Sequence, residues 1–187
     1  MKKFKLTSEF IVDISGVKLF RIKALIEFGN VKAGDLGGYI EKEKNLSHMG
    51  NAWVSGNAQV SGNAWVFGDA QVFGNAQVFG NARVFGNAWV SGDAQVFGNA
   101  RVSGDAQVFG DARVSGDKDY AYAHGFGSCN RTTTFFRLKD GDVGVRCGCF
   151  YGTLAQFRDK VCETHGETKK AQEYLMLADL MEIRFKN

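Results

Sequence analysis

Gly50-Asn-Ala-Trp-Val-Ser55, Gly56-Asn-Ala-Gln-Val-Ser61 and Gly62-Asn-Ala-Trp-Val-Phe67 open a run that continues to Ser115 as eleven unbroken copies of Gly-[Asn/Asp]-Ala-x-Val-[Ser/Phe]. In each copy Ala and Val flank x, the period-2 pattern of a short strand with one face buried. Ala and Val are expected to point inward, and x and Ser/Phe outward. Gly followed by Asn or Asp tolerates unusual backbone angles, so each short strand ends in a corner. A strand this short cannot bury its own face. Successive coils must therefore stack at roughly 4.8 Å and share one interior, which predicts a solenoid with six-residue sides.

The rest of the 187-residue chain frames this repeat. The net charge of +3 divides as +3 over residues 1–49, −2 over 50–117 and +2 over 118–187. No segment is basic enough to predict nucleic-acid binding or acidic enough to imitate DNA. No apolar stretch follows the first lysines and nowhere do 18 apolar residues run together, so the expected location is the cytosol with no membrane partner. Four cysteines, three of them within residues 147–162, do not form a secreted disulfide framework, and a reduced state is expected. Twenty-four Gly with no Pro fit a regular repeated turn rather than a linker.

Three regions follow. Residues 1–37 form a β cap, with strands around Lys3–Leu6 continuing through Phe10–Ile14, and over Val17–Phe28, separated by Ser15-Gly16. Such a cap protects the open solenoid edge. Residues 38–117 form the solenoid, its first coil an irregular one from Gly38 to Met49 in which Ile40 and Leu46 take Ala positions. Residues 118–187 form a small α+β domain. It begins with a Gly-containing crossing and continues with apolar runs Thr132–Leu138 and Val143–Phe150 joined by the turn Lys139-Asp-Gly-Asp142. A helix then starts at the capping box Thr153-Leu-Ala-Gln156 and stops at Gly166, and a second covers about Thr168–Arg184. The unit expected is ββαα.

Val-x-Gly-[Asn/Asp]-Ala-x resembles the hexapeptide motif of left-handed parallel β-helices. That resemblance implies three hexapeptides per coil, a left-handed path, coils starting near Gly50, Gly68, Gly86 and Gly104, and commonly a trimer. A second resemblance, to phage and prophage hexapeptide-repeat proteins, rests on Phe28-Gly-Asn-Val-Lys-Ala-Gly-Asp-Leu-Gly-Gly-Tyr-Ile-Glu41, Asn45-Leu-Ser47, Cys147-Gly-Cys-Phe-Tyr-Gly-Thr-Leu154 and Glu163-Thr-His-Gly166. It implies a phage-derived intracellular accessory protein. The fold class expected is thus mainly β: a left-handed β-helix of about four coils with an N-terminal β cap and a C-terminal ββαα domain.

In the three-sided register one face carries Trp53, Gln71, Trp89 and Gln107 beside Ser55, Phe73, Ser91 and Phe109. The second carries Gln59, Gln77, Gln95 and Arg113 beside Ser61, Phe79, Phe97 and Ser115. The third carries Trp65, Arg83, Arg101 and Asp119 beside Phe67, Phe85, Ser103 and Ala121. The outward aromatics Trp53, Phe67, Phe73, Phe79, Phe85, Trp89, Phe97 and Phe109, together with Trp65, are more than a soluble monomer leaves in water. They predict an interface with another copy of the chain, a trimer in the resembling folds, or with a protein partner.

Arg83 and Arg101, stacked below Trp65, are either neutralised by a salt bridge from Arg101 to Asp119 or form a nucleotide site, Trp65 stacking a base and the arginines holding phosphate. A second anion candidate is Gly125-Phe-Gly-Ser-Cys-Asn-Arg-Thr132, with Ser128, Asn130 and Arg131 as ligands.

Hexapeptide acyltransferases use a histidine as base, and γ-class carbonic anhydrases hold zinc with histidines at the solenoid surface. None of His48, His124 and His165 lies within the repeats, and no loop interrupts them. His48 and His124 are the only catalytic alternatives. Cys147, Cys149, Cys162 and His165 have the residue types of a zinc site, Cys147-x-Cys149 on an extended strand sending both sulfurs to one side. Buried thiols are the competing reading, and no metal or other cofactor is expected. The function expected is a non-enzymatic phage accessory protein that counters a host defence by sequestering a signalling nucleotide or binding a host protein. An acyltransferase and a structural or assembly protein are the alternatives.

Overall fold

The computed structural model describes residues 2–128 and 130–186. It opens with an antiparallel hairpin, β1 (Phe4–Val12) and β2 (Lys18–Ala24), whose turn is held by Asp13 Oδ1 accepting the amides of Ser15 and Val17. Next comes β3 (Leu36–Ile40), antiparallel to β2. Eleven two-residue strands follow, one per hexapeptide: β4 (Trp53–Val54), β5 (Gln59–Val60), β6 (Trp65–Val66), β7 (Gln71–Val72), β8 (Gln77–Val78), β9 (Arg83–Val84), β10 (Trp89–Val90), β11 (Gln95–Val96), β12 (Arg101–Val102), β13 (Gln107–Val108) and β14 (Arg113–Val114).

Every third strand pairs in parallel, giving sheets β4-β7-β10-β13, β5-β8-β11-β14 and β6-β9-β12. Partners lie 18 residues apart, Trp53 with Gln71 and Trp65 with Arg83, so each coil has three six-residue sides and the array makes about four turns. Repeat Ala and Val side chains from Ala52 to Val114 are all buried in one continuous core. The corners depend on glycine. At Gly86, φ is +69° and a Cβ would lie 3.0 Å from the Gly104 amide nitrogen, so neither the angle nor the stacking tolerates a side chain. Beside the glycines run amide ladders, such as Asn57 Nδ2 to Asn75 Oδ1 (3.3 Å) and Asn75 Nδ2 to Asp93 Oδ1 (3.0 Å).

The irregular first coil is present with a different register. Ile40 pairs with Val60 and Leu46 with Val66, 20 residues on, so both occupy Val rather than the expected Ala positions. The two extra residues fall between Leu46 and Trp53, in the segment that carries His48.

The solenoid has a chemical direction. Around the corners and at the strand ends, amides of each coil donate to carbonyls of the next, as Arg83 N to Ala100 O (2.9 Å), while donors and acceptors alternate within each parallel strand pair. At those corner and strand-end positions the first coil is left with orphan acceptors and the last with orphan donors, which need partners when buried. The amino-terminal cap supplies donors. Tyr39 N and Glu41 N reach Ala58 O and Val60 O, Asn45 Nδ2 reaches Gly62 O and Ala64 O, and Lys3 Nζ reaches Gly50 O (3.2 Å) and Ala52 O (2.7 Å). The opposite end supplies acceptors. Asp117 Oδ1 takes Arg101 N, Thr134 Oγ1 takes Gln107 N, and Asp119 Oδ2 takes the amides of Ser115 and Gly116.

The terminal domain packs on this acceptor end through Tyr120 and Phe136. Its sheet has four antiparallel strands in sequence order, β15 (Tyr120–Phe126), β16 (Arg131–Arg137), β17 (Val143–Cys147) and β18 (Phe150–Thr153). Two more strands are present than the ββαα reading supplied. The expected crossing begins with β15, and the run 143–150 folds back on itself at Gly148-Cys149. Helices α1 (Leu154–His165) and α2 (Lys169–Phe185) cover one side of the sheet. The predicted box caps α1, Thr153 Oγ1 accepting Gln156 N and Gln156 Oε1 accepting Thr153 N. Among the described residues no helix is long and apolar enough to cross a membrane.

Candidate binding face

The three-stranded sheet β6-β9-β12 brings Trp65, Arg83 and Arg101 into one outward column, Trp65 opposite Arg83 and Arg83 opposite Arg101. Trp65 is 40% exposed and both arginines are exposed. Beside this column runs an aromatic rail. Trp65 stacks on Phe67 with ring centroids 4.1 Å apart, and Phe67 stacks on Phe85 at 4.9 Å with planes 5° from parallel. The rail follows from the 18-residue spacing, which places identical side chains directly over one another.

The expected salt bridge from Arg101 to Asp119 is not formed. The chain leaves the repeat at Gly116 in a single 3-10 turn, Asp117–Asp119, which draws Asp119 back onto Ser115. There the buried carboxylate also accepts Ser115 Oγ, at 2.5 Å. Asp117 instead meets Arg101, through its backbone amide alone. Among the described residues neither Arg83 nor Arg101 has an ion-pair partner.

The face ends in an open groove of about 430 Å³ against the terminal domain, where Phe85, Arg101 and Ser103 meet Asp117, Tyr122 and Arg184. Arg184, from the last turn of α2, donates to the carbonyls of Asp117 and Tyr120, which places its guanidinium at the foot of the arginine column. Tyr120 donates to the Arg101 carbonyl, and burial raises its pKa. Tyr122 and Arg184 escape sequence reasoning because β15 carries the first and the docking of α2 the second to this face, and no local motif marks either.

The other aromatics divide. Trp53 is only 4% exposed and is not available to another molecule. Its ring meets Phe28 at 5.3 Å and Phe4 at 6.5 Å, because the cap folds over that side of the first coil. Phe109 lies against Tyr151 and beneath Arg146 of the terminal domain. Trp89, at 47% exposure, packs edge-on to Phe73, and Phe79 stacks on Phe97 at 5.1 Å, so these remain on the outer surface.

His48 has an architectural place. Its ring stacks on Phe4 at 4.3 Å, Nδ1 accepts the Lys3 amide, and Nε2 lies 2.7 Å from Glu43 Oε1. The hydrogen bond from Lys2 and then that from His48 hold the Glu43 carboxyl below its ordinary pKa. A base would need a free nitrogen, and both nitrogens of this ring are engaged. His124 is exposed, its Nδ1 3.0 Å from Thr132 Oγ1.

The cysteine cluster also departs from expectation. Gly148, with φ +58°, and Cys149 form a hairpin turn between β17 and β18, so Cys147 and Cys149 do not share one extended strand. Among the described residues no three His, Cys, Asp or Glu side chains converge as metal ligands. Cys162 is exposed on α1, while Cys147, Cys149 and His165 line a separate cleft together with Ser128 and Arg131. Asn130, at φ +46°, is exposed beside that cleft and does not line it.

The fold and this face define a β-solenoid protein with chemically distinct caps at its two ends and an aromatic, cationic side. The YdcK beta solenoid repeat family model matches residues 58–74, 76–92 and 94–108, so the middle of the array is similar to that repeat. A comparison with curated proteins returns no match.

Proposed function

We propose that this chain acts by binding, and that the β6-β9-β12 face takes a small aromatic anion of the nucleotide class. The observation that carries this reading is the column Arg83–Arg101, two exposed guanidiniums on adjacent coils with no carboxylate ion-pair partner among the described residues, beside a continuous aromatic rail. Like charges stacked on neighbouring strands are unfavourable unless something neutralises them, and a phosphate does so while making charge-assisted hydrogen bonds. A base then has the exposed face of Trp65 to stack on. Arg184 and Tyr122 extend the same chemistry into the groove below. The resemblance to phage and prophage repeat proteins supports an accessory role in a bacterial cytosol, in which a host signalling nucleotide is held out of circulation.

Self-association is the accompanying reading, favoured by a specific observation. The exposed Trp89 and half-buried Phe73 form an aromatic pair on a different face, and the resembling folds close as trimers through such surfaces. A trimer built there leaves the arginine column free.

The test is native mass spectrometry of protein purified from bacterial cells, followed by release of any bound molecule and titration of AMP, ADP and a cyclic dinucleotide against tryptophan fluorescence. The expected result is a closed oligomer whose fluorescence is quenched by at least one of these nucleotides, with binding lost in Trp65→Ala combined with Arg83→Ala and Arg101→Ala. Unchanged binding in the triple variant overturns the site. No bound anion and no quenching overturn the nucleotide class.

A further inference from the structure

The terminal domain holds a second cleft, built from residues that share nothing with the solenoid face. It occupies about 210 Å³ between the β17–β18 hairpin and helices α1 and α2. Its floor is apolar, made by Phe150, Phe157 and Val161. Its rim is cationic, and among the described residues that line it there is no carboxylate: Arg131 and Lys160 both line it, with His165 beside them. Lys160 has an outward partner in Glu163, on an exposed i,i+3 pair of little strength. Arg131 has no ion-pair partner among the described residues. Its guanidinium lies against Gly148 of the hairpin turn, close to the position a Cβ there would take. Tyr174 organises the inner wall. Its hydroxyl accepts the Ser128 amide at 3.1 Å and lies 3.7 Å from Cys147 Sγ.

An apolar pocket with convergent polar groups at one end is the general form of a small-molecule site. Here the polar end is positive and the other end apolar, and the cleft, at about 210 Å³, suits a ligand smaller than those of typical pockets. We propose that this cleft binds a small organic anion, its carboxylate or phosphate directed to Arg131 and Lys160 and its apolar body laid on Phe157 and Val161. Cys147 and Cys149 line the occupied space and Cys162 does not, which gives the protein its own reporters.

The experiment measures iodoacetamide alkylation rates of the whole protein, residue by residue, by peptide mass spectrometry. The probes are benzoate and phenyl phosphate, with benzamide as the neutral analogue of the same shape. At ten times its Kd an anionic probe is expected to slow Cys149 and Cys147 about tenfold while leaving Cys162 unchanged. The stronger of the two anions identifies the preferred head group. Arg131→Gln is expected to weaken protection about tenfold or more, as loss of a charge-assisted contact does. Absence of protection by both anions in the millimolar range overturns the proposal, as does equal protection by benzamide. Both results are read on the wild-type protein, whatever the variant does to folding. Nucleotide binding at the solenoid face uses none of these residues, so either reading can fail without the other.

Discussion

Lys3 offers the sharpest physical test of how the solenoid is closed. Its side chain is 1% exposed, and its ammonium group lies over Phe28 at 4.6 Å while donating to the Gly50 and Ala52 carbonyls. Burial lowers its pKa from 10.5 to about 8, against a smaller opposing pull from Asp69. A lysine whose pKa is lower in the folded state holds fewer protons there than in the unfolded chain, so stability rises as pH climbs through this range. Between pH 7 and 9.5 ideal linkage gives about 2 kcal/mol, and solvent screening at the rim of the coil reduces this to about 1 kcal/mol. The window closes there for a stated reason. Burial raises the pKa of both Tyr120 and Tyr174, and their contribution falls once the unfolded tyrosines ionise near pH 10. Lys3→Met keeps the unbranched chain, removes the titration and strands two buried carbonyls. The neutral amine still donates, so the variant should fall behind wild type by about 1–3 kcal/mol at pH 9.5 and by less at pH 7. Urea unfolding of both proteins at the two pH values measures this, and the difference between them cancels the cysteines and histidines. A gap that stays constant or narrows with rising pH would refute the placement of a charged lysine inside the cap.

Gly86→Ala forces a side chain into a φ of +69° with the Gly104 amide at 3.0 Å, and should cost more than about 1 kcal/mol in the same urea assay. Trp53→Ala empties the space under the cap and should cost about 3–5 kcal/mol, whereas Trp89→Ala on the exposed face should change monomer stability by less than about 1 kcal/mol. Similar losses for the two would contradict the burial of Trp53. Asp119→Ala leaves the Ser115 and Gly116 amides without their acceptor and should lower thermal stability by about 1–3 kcal/mol, while Asp119→Asn, which keeps an oxygen, should lose less.

What could be read in advance was whatever repeats. An uninterrupted six-residue period specifies the inward Ala and Val and the corners, because one register error would expose every core side chain together, and the three-sided coil that the hexapeptide resemblance implies adds the column of Trp65, Arg83 and Arg101. The capping box at Thr153 was legible for a similar reason, since its partners are three residues apart. Features that occur once were not. Trp53 occupies the same motif position as Trp65 and Trp89, and only the fold of Phe4 and Phe28 across it sets it apart. The extra two residues after Leu46 produce no change in composition. Asp119 continues the third column in sequence, yet the 3-10 turn ends the column. At Cys147-Gly-Cys149 the glycine was a visible turn signal inside an apolar run, and the C-x-C spacing drew attention from it. Arg184 and Lys160 reach their clefts on helices, where charge on an amphipathic surface looks like solvent-facing charge.

The aromatic rail also limits how a planar ligand sits. Phe67 and Phe85 are 4.9 Å apart and nearly parallel, and their backbones belong to adjacent coils joined by the ladder from Phe67 N to Val84 O (3.0 Å). Intercalating a base would need roughly 7 Å between the rings, enough to part the coils and break these bonds. On the proposed reading a base would therefore lie on the outer side of the rail, against Trp65, with its phosphates directed along the column toward Arg101 and Arg184. Binding of that kind leaves the interior untouched. Hydrogen exchange at the amides of Phe67, Phe85 and Val84 should then be equal or slower with nucleotide bound, and faster exchange there would show that the coils separate and that the ligand enters between them.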